Sequence, residues 1–213
     1  MQLSQLITTV RAILDDEVAA KYRWSDAQLT AWFNEAQSEA NRRIRYLVDN
    51  TITQTLSAAR ATYLFPDGVI FLRRMIISGE DLPLCFTTYK ELDANVAGWE
   101  THTGTPTHII CDLAIDQYQL YPIPDAIKTL KLTAIVEPQP LTIESQLPSR
   151  FTYGYMDWVC YRAYQNADND KFNLPLSQTF LASFEQEFGP RSSAKDEIFN
   201  LRNMPFDNYD GNS

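Results

Sequence analysis

The amino-acid sequence predicts an α+β protein: a helical bundle of two N-terminal and two C-terminal helices, an antiparallel β-domain inserted between them, and an extended C-terminal arm. Three observations carry this expectation. Apolar residues recur at helical spacing towards both ends of the chain, the middle switches to short β-branched and aromatic runs broken by PDG and GED, and the stretch after Gly189-Pro190 becomes polar and broken. The corresponding boundaries are 1–50 with 148–190 for the bundle, 51–147 for the β-rich insert and 191–213 for the arm.

Leu3, Leu6, Ile7, Val10, Ile13 and Leu14 form an apolar stripe and predict a helix over 3–14. Ser25 followed by Gln28 matches a capping box, and Leu29, Trp32, Phe33, Ala36, Ala40, Ile44 and Leu47 continue one face, predicting a second helix over about 26–47. From Thr51 the composition shifts to Thr, Ile, Val, Phe and Tyr, which fit a pleated, half-buried surface. YKELDANVAGW, residues 89–99, predicts a short helix that Gly98 is placed to stop. Two strands near 107–113 and 117–121, and the alternating KTLKLTAIVEP at 128–136, complete the insert. Pro138, Pro140 and Pro148 then mark a stiff return to helix. Phe151, Tyr155, Trp158, Val159 and Arg162 trace one C-terminal helix, and Leu176, Phe180, Leu181, Phe184 and Phe188 trace another over about 176–188. The paired aromatics Trp32/Phe33, Tyr155/Trp158 and Phe180/Phe184/Phe188 are read as core.

With 45% hydrophobic and 12% aromatic residues, the chain of 213 residues has ample material for packed cores. Its 18 Lys and Arg against 27 Asp and Glu give a net charge of −9, which repels nucleic acid and anionic membrane as a whole, so any contact with DNA must be local or transient. Cys85, Cys111 and Cys160 are odd in number, far apart and set among apolar residues, the pattern of reduced, buried thiols in a protein folded in a cytoplasm. No signal peptide and no membrane span is read in the sequence.

The groupings that catalysis needs are hard to find. His102 and His108 lie six apart in a Thr- and Pro-rich stretch with no third ligand placed beside them, and are expected as surface or edge residues. Asp168 and Asp170 match the first spacings of a calcium loop, but Phe172 takes the next ligand position and the glycine is missing. There is no phosphate-binding glycine loop and no nucleophile elbow. The chain is therefore read as no enzyme, with no catalytic residue, cofactor or metal. Arg42, Arg43 and Arg45 form the densest basic cluster, with Arg73 and Arg74 next; besides favourable placement at a helix C-terminus, they suit a salt-linked contact with an acidic neighbour.

The order of segments carries more information. A short first helix, WSDAQLTAWFNEAQSEANRRI, YLFPDGVIFLRRMIISGEDLPL, the module GWETHTGTPTHIICDLAIDQYQLYPIPDA, a strand ending in EPQPL, LPSRFTYGYMDWVCYRAY and FLASFEQEF follow one another over residues 3–189. This series resembles the head-to-tail adaptor, or connector, proteins of tailed bacteriophages, of the tail tubular protein A type. The resemblance implies a virion structural protein made in the host cytoplasm and placed in the neck. It would form a homo-oligomeric ring, commonly a dodecamer, between the portal protein and a tail or nozzle protein, with DNA passing through its lumen without specific binding. It also implies a C-terminal segment that orders on the portal, for which Phe199, Leu201, Met204, Phe206 and Tyr209 supply apolar anchors.

The alternative of the same class is another neck or tail-terminator assembly protein; from a different class comes a small enzyme using an acidic pair. Replacing Trp32 or Trp158 with Ala is expected to cost about 3–5 kcal/mol by leaving a core cavity, measured by urea unfolding.

Overall fold

The two helical ends of the sequence close on each other even though the whole β-rich middle lies between them. The computed structural model describes residues 1–112, 116–166, 172–191 and 193. Two compact units result: Met1–Tyr46 joined with Glu137–Arg191, and Leu47–Val136. The architecture is α+β, helices at both ends with the β region inserted.

In the helical unit, α1 (Leu3–Ile13), α2 (Asp26–Ile44), α4 (Thr152–Gln165) and α5 (Leu174–Phe188) surround one core that includes Leu6, Val10, Phe33, Tyr155, Val159 and Phe184. The first N–H groups of α1, which have no partner within the helix, donate to the carbonyls of Ser145 and Ile143. Ser25 Oγ accepts the Gln28 N–H at 3.2 Å and starts α2. The helix stops at Ile44, three residues earlier than the apolar stripe suggests, because Arg45 takes a left-handed conformation (φ 51°, ψ 46°). α5 starts two residues earlier than expected, since Asn173 Oδ1 caps the Leu176 N–H at 3.1 Å and Pro175 suits the first turn.

Two internal ties hold this unit. The Arg11 guanidinium, buried on α1, bonds Asp16 at 2.6 Å, Asp26 at 2.7 Å and the Trp24 carbonyl at 2.8 Å, pinning the α1–α2 loop. At the α4–α5 contact, a Cβ on Gly154 would collide with Phe188 and the Glu187 carboxylate, so only glycine fits there. Trp32 is buried, whereas Trp158 is only partly buried against the core.

The second unit contains β1 (Val48–Leu56), β2 (Thr62–Leu64), β3 (Val69–Ile77), β4 (Cys85–Thr87), α3 (Tyr89–Asn95), β5 (Thr103–Gly104), β6 (His108–Ile110), β7 (Gln117–Tyr121), β8 (Ile123–Pro124) and β9 (Lys128–Val136). They form a three-stranded sheet ordered β1-β9-β3, a four-stranded sheet ordered β2-β7-β6-β4 and a small β5-β8 pair. The strand expected over 107–113 is shorter, and residues 113–115 lie outside the described part. The expected antiparallel insert is also mixed: β4 pairs with β6, and β5 with β8, in parallel. The crossover through α3 makes the first of these possible, since a hairpin can join only antiparallel strands. α3 carries a full Thr88/Glu91 capping box and ends at Asn95, before Gly98.

The two larger sheets share a core of Leu56, Leu72, Met75, Leu130, Tyr118 and Ile109, among others. Both seams are stitched: the Leu84 N–H reaches the Met75 carbonyl at 2.8 Å, and Gln54 Nε2 reaches the Leu64 carbonyl at 3.0 Å. Each bond satisfies one carbonyl on an edge strand and ties the neighbouring sheets together.

Gly154→Ala is expected to lower stability by about 1–3 kcal/mol through overpacking at the α4–α5 contact, read as a shift in the urea midpoint at unchanged slope.

Candidate functional site

Thiols and imidazoles are the side chains best suited to catalysis near neutral pH. Cys85 is exposed, contrary to the expected burial, because alternation on β4 turns the adjacent Leu84 inwards and Cys85 out. Burial pushes the Cys111 thiol up to about 12, with the Asp112 carboxylate adding to the effect, and does the same to Cys160, helped by Asp157. Thiols held protonated are poor nucleophiles. His102 and His108 both stand against Tyr121, with ring centroids 6.1 and 5.9 Å away, an approach that their spacing in sequence does not reveal. His102 is exposed, but His108 sits half-buried in an interior strand, where burial lowers its pKa against the opposing pull of Glu91. Among the described residues no group of three or more His, Cys, Asp and Glu is placed to hold a metal ion. Asp168 and Asp170 lie outside the described residues.

Asp157 and Glu187 come closest to an acidic pair. Burial raises the pKa of each, and the Asp157 charge adds to the shift of Glu187. Both carboxylates are engaged in packing: Asp157 accepts the Ser183 hydroxyl at 2.6 Å across α4 and α5, and Glu187 accepts the Gly154 N–H at the first turn of α4. That turn has no side-chain cap of its own, so Glu187 supplies the missing acceptor. The arrangement clamps the two helices together.

A groove of about 520 Å³ runs along α2 and α4, lined by Asn34, Glu35, Ser38, Arg42, Trp158 and Arg162. Arg162 Nε lies 3.0 Å from Glu35 Oε2, and Trp158 Nε1 donates to the same carboxylate at 3.4 Å. Arg191, near the last described residue, approaches Glu39 at the groove wall at 3.6 Å. Trp158 and Arg162 are four apart on a helix, so their shared face was legible, but the meeting with Glu35 needed the long-range fold.

The Arg42, Arg43 and Arg45 cluster is split by the fold. Arg43 is turned inwards, its side chain 4% exposed, where it bonds Glu39 at 3.1 Å and the Gly189 carbonyl at 2.6 Å and lies over the Phe184 ring. Arg42 is exposed and reaches Glu137 at 3.6 Å. Arg45 forms the left-handed stop of α2. Phe199, Leu201, Met204, Phe206 and Tyr209 lie outside the described residues.

Arg43→Ala is expected to cost about 3–5 kcal/mol, because buried Glu39 would keep only the exposed Arg191 at 3.6 Å and the Gly189 carbonyl would lose its donor. Arg42→Ala should cost under about 1 kcal/mol, as befits an exposed pair; thermal unfolding of the two variants checks the contrast.

A family model described as SU10 adaptor protein matches residues 1–204 of the chain. Comparison with the curated proteins gives no match.

Proposed function

The chain belongs to the SU10 adaptor protein family, a family of phage head-to-tail adaptors, and from that premise we propose that it forms the ring joining the portal to the tail, through which DNA passes. The coarser role is that of a structural adaptor of the phage virion, and structural adaptors work by contact and not by turnover. The observation that carries the proposal is the family match over residues 1–204.

The physical features support it. Closed-ring assembly by one kind of chain uses heterologous contacts, in which one surface of a copy meets a different surface of the next. The helical unit offers a braced surface for such contacts, with exposed Arg42 and the α2–α4 groove on elements tied down by Arg11 and Arg43. Arg42 and Arg45 are the proposed salt-linked contacts, and the segment bearing Phe199, Leu201, Met204, Phe206 and Tyr209 is the proposed portal-docking arm. In this reading the partners are further copies of the chain in a dodecameric ring, with the portal protein and a tail or nozzle protein completing the assembly. Among the described residues no helix is long and apolar enough to cross a membrane.

Negative-stain microscopy of the purified chain mixed with portal rings tests the proposal. An added layer with the portal's rotational symmetry is expected; a chain that ignores the portal and decorates tail ends instead would replace the adaptor role with that of a tail terminator. Deleting residues 192–213 should leave thermal unfolding unchanged while abolishing the added layer, and normal layering by the truncated chain would refute the docking arm.

A further inference from the structure

The outer face of the three-stranded sheet departs from the charge balance of the rest of the chain. Strands β1, β3 and β9 carry Arg73, Arg74, Lys128 and Lys131 against one carboxylate, Asp49, in a chain of net charge −9. A break in register between Leu72 and Arg74 shapes this face. Strict alternation would send one of two consecutive arginines into the core. Here Leu72 and Met75 both point inwards, and Arg73 and Arg74 are both exposed. Redirecting a side chain is a known use of a β-bulge.

Register places the neighbours of these cations. Arg74 is opposite Thr133, and Lys131 lies between Ile76 on one side and Thr53 on the other. Lys131, Thr53, Thr55 and Thr129 are exposed with the two arginines, so the face presents cations and hydroxyls. Asp49 is engaged locally: its carboxylate accepts the Thr51 N–H at 2.7 Å and the Thr51 hydroxyl at 2.8 Å. Lys128 is drawn towards Glu80 at 3.8 Å. Elsewhere, Arg11, Arg42, Arg43 and Arg162 each face a carboxylate, but no ion pair among the described residues involves Arg74 or Lys131.

We infer that this face contacts the phosphate backbone of duplex DNA. A protein partner would be expected to bury an apolar or aromatic centre; beside Arg74 and Lys131 the apolar neighbour is the half-buried Ile76, while Val48 and Phe71 lie at the far end of the sheet, opposite Ile135. A phosphate backbone asks for Arg, Lys and hydroxyl donors, the groups this face displays, and needs no base-reading side chains. The inference deepens the adaptor reading, which supplies the duplex. With few cations per copy, each contact is weak and its salt slope is set by those few phosphates, so a strand passing through is touched without being held.

The test uses the full chain and a fluorescein-labelled duplex of random sequence, with anisotropy read at low and at physiological salt. Arg73→Gln/Arg74→Gln/Lys131→Gln is compared with Lys21→Gln/Lys90→Gln/Arg150→Gln, which changes net charge equally at exposed positions elsewhere. The face variant is expected to lose at least about tenfold in affinity at low salt, and its log–log salt slope should fall by about 2–3, given roughly 0.9 per phosphate contact. The control should keep most of its binding. Equal losses in both variants, or no binding by the unaltered chain at low salt, would overturn the inference. So would unchanged DNA affinity with an altered oligomeric state by light scattering, which would make the face a contact between copies. Single Lys131→Gln, expected to lower the slope by about 1, keeps the test valid if the triple variant misfolds. Portal binding is read separately by microscopy, so failure of the ring proposal and failure of this contact are distinguishable.

Discussion

The helical core can form only if two stretches separated by all of Leu47–Val136 find each other. Bringing such distant segments together costs loop-closure entropy before any contact repays it. A middle segment that folds into a unit with its own core lowers that cost, because the ends to be joined are then held by a structured piece and not by a long random chain. The separate core of Leu56, Leu72, Met75 and Leu130, with a hydrogen bond across each seam, meets that requirement.

Closure is secured by contacts that join the N-terminal and C-terminal stretches directly. Arg43 on α2 reaches the Gly189 carbonyl at the end of α5, the Tyr46 hydroxyl lies 3.0 Å from that of Tyr155, and the Met1–Ser4 backbone pairs with residues 143–147. These are polar contacts at the margin of an apolar core. They add little net stability when satisfied but are costly to leave unmade, which favours one arrangement of the helices over others. Asp157 and Glu187 fit the same pattern: both carboxylates, each raised in pKa by burial, are engaged in holding α4 against α5. A part that transmits contacts between larger assemblies needs such definition more than it needs reactive groups.

Charge is distributed on the same logic. Most arginines of the helical unit face carboxylates of the same chain, so they brace the fold and contribute little to its external field. The β-bulge at Leu72/Arg74 does the opposite, exposing two adjacent cations without disturbing the core positions on either side. A sheet can therefore keep its packed face unchanged while its outer face acquires a different electrostatic character.

The sequence by itself determined the element types and the two-part layout, because local periodicity is a local property: the stripes of α1 and α2, the alternation of β9 and the aromatic rows of α4 and α5 are written in consecutive residues. It also marked the arginine clusters, though as clusters only. Tertiary structure alone decided that Arg43 belongs to the interior while Arg42 stays outside, that Cys85 is exposed, that both histidines converge on Tyr121, and that Arg73 and Arg74 share one face. Each of these depends on a partner far away in sequence, on a parallel crossover or on one extra residue in a strand, and composition and spacing carry no record of where such a partner will stand.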